Sequence, residues 1–156
     1  MRKLLILSLP LVLLTCMKAT TDNSSEKIIA MEKAALDRWG KGDPQGVLDI
    51  YARKITYFDP FQEKRIDGIE AMKKIYAPMA GKIRIGRCDM IDPKVQWHGD
   101  VAVLTYNLVN DMLQLPDGPS NVRVRWNSTQ VYARVDGKWR VIHSHWSFIK
   151  PELRTR

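Results

Sequence analysis

Cysteine is almost missing from this sequence: Cys16 and Cys88 are the only two among 156 residues. A disulfide framework is therefore excluded as the main source of stability, and the fold must rest on a packed core. CxxC pairs, P-loops and glycine-rich phosphate loops are missing as well, and no Ser-His-Asp or Cys-His arrangement is recognisable. Their absence removes the common zinc-ribbon, nucleotide-binding and nucleophilic-hydrolase readings. Long apolar runs are lacking too. The longest, Leu4 to Leu14, is interrupted by Ser8 and Pro10, and its roughly eleven residues fall well short of the twenty or so a membrane span needs. There is no internal repeat. What is present, 45% hydrophobic and 27% charged residues, is the composition of one ordinary globular domain.

The N-terminal end reads as a targeting segment. Arg2 and Lys3 precede the apolar run, and Leu13-Leu14-Thr15-Cys16 resembles a bacterial lipobox, with Thr15 where Gly, Ala or Ser is usual. This reading gives a lipoprotein-type signal peptide over 1–15, lipidation of Cys16, a polar tether over 16–25 and a single domain over 26–150. An ordinary cleaved secretory peptide is the alternative. Either way the domain is expected to be exported, to the periplasmic or cell-surface side, with a lipid anchor to the membrane in the first case. The formal charge is +8, or +6 without Arg2 and Lys3. Its carriers, such as Lys33, Arg53, Arg87 and Arg134, are scattered singly. That argues for solvated faces and against a nucleic-acid partner.

Patterning places helices first and strands after. Asn23 and Glu26 have capping-box spacing, and Ile28, Met31, Ala35 and Trp39 recur at helical intervals until Gly40 and Gly42. Asp43-Pro44 starts a second helix, followed by a short strand, Ile55 to Phe58. Asp67 is expected to cap a third helix with Ile69, Met72, Ile75 and Tyr76 on its buried stripe. From Gly81 onward the pattern is strand: 83–97 broken near Asp92-Pro93, 101–115, 121–135 and 139–149. The turns between them are His98-Gly99-Asp100, Pro116-Asp117-Gly118-Pro119 and Asp136-Gly137. The expected fold class is α+β, a cone in which N-terminal helices pack on a strongly curved antiparallel sheet and enclose a pocket.

Two segments carry a family resemblance, Gly42 to Tyr76 and Val131 to Ser147. They hold Gly-Asp between two helices, Tyr-Ala after the second, Asp59-Pro60, and Asp136-Gly137-Lys138-Trp139 before the last strand. In this order they resemble the nuclear transport factor 2-like (SnoaL-like) superfamily, and most of all the association domain of calcium/calmodulin-dependent protein kinase II. His143, Ser144 and His145 share in that likeness. The resemblance implies a pocketed cone that self-associates, as a dimer or larger, through the outer sheet face. Leu108 and Gln130 stand where two pocket arginines of those domains align. Thr56 to Phe61 also resembles the general-base segment of ketosteroid isomerase, with Asp59 at the base position. Ala35 and Ser128 replace its oxyanion-hole donors, so steroid isomerisation as such is not expected.

The expected ligand-binding set is Trp39, Tyr57, Asp59, Asn107, Gln130, His143 and His145, holding a small organic molecule. Asp59, His143 and His145 are the expected groups for any catalysis. Asp59 serves either as a pocket base or as the cap of the turn that Pro60 begins. His143 and His145 are two apart on a strand, on one side, roughly 7 Å from each other. A metal would need further ligands, for which Asp59 and His98 are the available residues. The preferred reading is a pair of pocket-wall histidines without metal or cofactor. Ligand binding, a cofactor-free isomerase, cyclase or dehydratase, and a purely structural oligomerisation domain all stay open.

Overall fold

A computed structural model describes residues 24–115 and 120–150. The leader, Cys16, nearly all of the tether and the loop Pro116–Pro119 lie outside the described residues.

Helix α1 (Ser25–Gly40) starts at Ser24, whose hydroxyl accepts the Lys27 N–H at 3.1 Å; the cap thus falls one residue after the expected Asn23. Asp43 opens α2 (Gln45–Ile50), its carboxylate accepting the Gln45 N–H at 3.0 Å. Arg38 joins the two helices through Asp43 and Asp49, each at 2.7 Å. Strand β1 (Tyr51–Phe58) begins directly after α2 and is longer than the sequence indicated. Strand β2 (Ile66–Asp67) is a two-residue edge, and α3 (Ile69–Tyr76) follows, running into a 3-10 turn, Ala77–Met79. Asp67 does not cap α3. Gly68 occupies that position at φ 85°, and Asp67 pairs with Arg65 instead.

The long strands are β3 (Arg84–His98), β4 (Val101–Gln114), β5 (Val122–Val135) and β6 (Lys138–Phe148). They form one unclosed six-stranded sheet in the order β2-β1-β6-β5-β4-β3. The sheet is mixed, which corrects the all-antiparallel expectation: β1 runs parallel to β6. The chain leaves β1 through α3 before the meander begins, so it returns to the edge of β1 only with its last strand, and in the same direction. β3 breaks register between Ile91 and Lys94, where Asp92 takes φ 46°, as the Asp-Pro pair led one to expect.

Alternation divides the sheet into an inner and an outer face. Ala102, Leu104 and Tyr106 of β4 and Tyr132 of β5 face inward and are buried, meeting Ile28 and Leu36 of α1. Trp97 of β3 donates to Ser25 at 3.1 Å and pins the start of α1 to the sheet. A curved sheet covered at one end by three short helices cannot fill all the space it encloses, and a cavity is left between them. Among the described residues no helix is long and apolar enough to cross a membrane.

Candidate functional site

The cavity has a volume of about 400 Å³. One wall comes from the helical side. Trp39 of α1 packs at a tilt on Tyr76 of α3 with ring centroids 4.8 Å apart, and Tyr57 of β1 and Tyr76 meet edge to face at 6.4 Å. The opposite wall is sheet. Trp126 of β5 and Trp146 of β6 stand perpendicular with centroids 5.8 Å apart, and Leu108 and Asn110 of β4 lie beside them. At the mouth Phe61, 73% exposed, packs against Phe148 at 5.2 Å and Trp126 at 6.5 Å.

Asp59 lies on this mouth and lines the cavity. Its Oδ1 accepts the Phe61 N–H at 2.7 Å, and its carbonyl accepts the Gln62 N–H at 3.1 Å. Asp59 thus caps the turn that Pro60 begins and lines the cavity at the same time. Burial pushes the phenols of Tyr57 and Tyr76 well above their ordinary range, and the nearby Asp59 carboxylate adds to the shift. Both stay protonated and can donate at neutral pH.

One buried acidic group of the cavity is one the sequence analysis missed. Glu32 of α1, 3% exposed, accepts hydrogen bonds from Tyr106 at 2.6 Å and Tyr132 at 2.5 Å. Burial raises its pKa, and the two phenol bonds oppose the shift only in part. A signal existed. Glu32 falls four residues after Ile28 and three before Ala35, inside the apolar stripe, where an acidic side chain needs buried partners. Two more polar atoms in the cavity wall have no hydrogen-bond partner among the described residues, Asn110 Oδ1 and Trp126 Nε1.

Of the expected site residues, Trp39, Tyr57 and Asp59 come together at the cavity. The others do not. Gln130 faces inward but is fully buried away from the cavity, donating to Ser128 at 3.0 Å. Asn107 lies on the outer face and donates to Asn127 at 2.8 Å. His143 and His145 correct the expectation most clearly: both are on the outer face, against Phe58 at centroid distances of 5.9 and 5.6 Å. His143 Nδ1 pairs with the Thr56 hydroxyl at 2.8 Å. The reason is one extra residue. Tyr132 pairs with Val141 but its neighbour Val131 pairs with His143, so Ile142 is a bulge. Trp139 and Val141 point inward before it, Ser144 and Trp146 after it, and the odd-numbered histidines are turned outward. Among the described residues no three His, Cys, Asp or Glu side chains converge as a metal site would require.

This cone with an aromatic cavity has a family. The model for the calcium/calmodulin dependent protein kinase II association domain matches residues 24–149. The chain belongs to that family. Among solved structures, a ketosteroid isomerase candidate from Parabacteroides distasonis is 36% identical to this association domain, with a TM-score of 0.70, covering 86% of this chain and 95% of that one. The CaMKII hub of S. rosetta is 22% identical with a TM-score of 0.66, covering 81% and 98% respectively. A protein with a cystatin-like fold from Caulobacter vibrioides is 17% identical with a TM-score of 0.66, covering 81% and 90%. The last two likenesses concern the fold alone. No curated protein matches the association domain in sequence.

Proposed function

We propose that this chain is an exported association domain that binds a small organic ligand in its internal cavity and self-associates through the outer face of its sheet. The observation that carries the ligand is the cavity itself. It is roomy and aromatic-walled, with buried polar atoms at Asn110 and Trp126 that lack partners within the protein. Self-association is supported by family membership and by the outer face, whose central rows are uncharged apart from their ends. One such row reads Thr105, Thr129, His145, Phe58 across four strands. Export, and a lipid on Cys16, rest on the leader residues; a Cys16→Ser protein that stays in the membrane fraction would refute the anchor.

A second reading is favoured by the position of Asp59, which is a cofactor-free acid–base enzyme with Asp59 as base. The outward histidines remove the acid this reading first relied on. Tyr57 and Tyr76 are the donors left near the base.

Native mass spectrometry of the protein purified without added ligand, with released compounds identified, tests the proposal. A stoichiometric organic compound supports it and names a class to assay. Turnover that Asp59→Asn abolishes while binding persists would favour the enzyme. A folded, assembled protein that never takes up an organic probe would leave only a structural oligomerisation domain.

A further inference from the structure

The chain has a formal charge of +8, yet among the described residues no lysine, arginine or histidine lines the cavity. The polar groups among the lining residues are the carboxyls of Glu32 and Asp59, the phenols of Tyr51, Tyr57 and Tyr76, the Asn110 amide and the indoles of Trp39, Trp126 and Trp146. Leu108 stands where the family likeness led one to expect an arginine. An acidic ligand entering this space would lose its hydration, find no counter-charge and meet two carboxyl groups already in place.

We propose that the cavity selects a weakly basic amine with an apolar, ring-sized body and rejects carboxylic acids of the same shape. This rests on the ligand-binding reading above and specifies its chemistry. An ammonium brings only donors, and the site offers acceptors. Asp59, half-buried on the mouth, holds its carboxylate in place through the 2.7 Å bond from the Phe61 N–H. Asn110, 5% exposed, has its side-chain oxygen unpartnered in the wall. Trp39, Tyr76 and Trp146 line the same space, and aromatic rings attract a cation. Glu32 is not the ion-pair partner, since its two oxygens already accept from Tyr106 and Tyr132. The donors in the wall, the Trp126 indole and the protonated phenols of Tyr57 and Tyr76 among them, suit a hydroxyl or ether oxygen on the ligand body.

The test is displacement of Nile red, an uncharged dye, by naphthylethylamine, naphthylethanol and naphthylacetate at pH 7. The amine is expected to bind about tenfold more tightly than the acid, with the alcohol between them. Asp59→Asn is expected to narrow the amine-to-acid ratio to about twofold. Equal or tighter binding of the acid overturns the amine inference while leaving ligand binding intact. A ratio unchanged in Asp59→Asn overturns the role given to that carboxylate. Failure of the folded protein to take up the dye or any of the three compounds overturns the ligand-binding reading, and this inference with it.

Discussion

Glu32 and Tyr132 are 100 residues apart in the chain and 2.5 Å apart in the fold. With Tyr106 as second donor, this carboxyl group ties α1 to β5 and β4 across the closed end of the cone. Removing it would leave two buried hydroxyls without an acceptor. Glu32→Ala is expected to cost about 3 kcal/mol in urea unfolding and Glu32→Gln, which keeps one acceptor, about 1 kcal/mol. Equal and negligible losses in both would show that the pair contributes nothing to the closed end.

The same residue sets a pH dependence. Burial raises the folded-state pKa of Glu32 above the ordinary 4.5. The folded chain therefore holds this proton more tightly than the unfolded chain does. The stability it contributes is fully present below the unfolded value and is lost as pH rises through the folded one. Unfolding free energy measured across that interval should decline in the parent protein and decline less in Glu32→Gln.

Assembly is expected to fail when charge is placed at the centre of the outer sheet face. Val131 pairs with His143 in the adjoining strand, and Val131→Glu should shift light-scattering mass from oligomer to monomer with the circular dichroism spectrum retained. Acid should act in the same direction. His143 has its pKa lowered, first by partial burial and then by His145 and Arg65, so it is neutral at pH 7. Since its pKa is lowered, the His143 imidazole takes up its proton only below the ordinary 6.5, and acid that charges it beside Phe58 should weaken association. An oligomer that is unmoved by both changes would place the interface elsewhere.

Filling the cavity separates binding from folding. Leu108, 1% exposed, lines the cavity from β4. Leu108→Trp extends into that space and should abolish dye uptake while changing stability by no more than about 1 kcal/mol. Retained uptake would mean that the dye binds elsewhere.

Two glycines with similar backbones should differ in what they tolerate. Gly137 has φ 73° with open space where a Cβ would sit, so Gly137→Ala should cost about 1 kcal/mol, the backbone strain alone. Gly42 has φ 83°, and a Cβ there would stand 3.0 Å from the Ile83 carbonyl oxygen. It would also press on the Arg84 guanidinium, which donates to the Lys41 carbonyl at 2.7 Å. Gly42→Ala should cost about 3 kcal/mol by thermal unfolding. Equal losses would mean that Arg84 moves aside without penalty.

Local patterns made the elements legible. The stripe through Ile28, Ala35 and Trp39 and the Asp43 cap marked the first two helices. The alternation Val122, Val124, Trp126 marked β5, and Asp136-Gly137 its turn. These features are local because each needs only neighbours within a few residues to define a buried face or a backbone bend. The Asp67 cap misled because Arg65 offered that carboxylate a charged partner, while the bend to α3 needed a positive φ that Gly68 supplies without strain.

The sequence by itself determined the helix-then-strand order, the family likeness and the placement of Trp39, Tyr57 and Asp59 on a cavity. Tertiary structure alone decided the parallel seating of β1 beside β6, the partners of Glu32 and the direction of the two histidines. Each depends on residues far apart in the chain, and the last on one bulge at Ile142. Side chains on a strand alternate strictly, so a single extra residue reverses every later one, and only the register with the neighbouring strand reveals it.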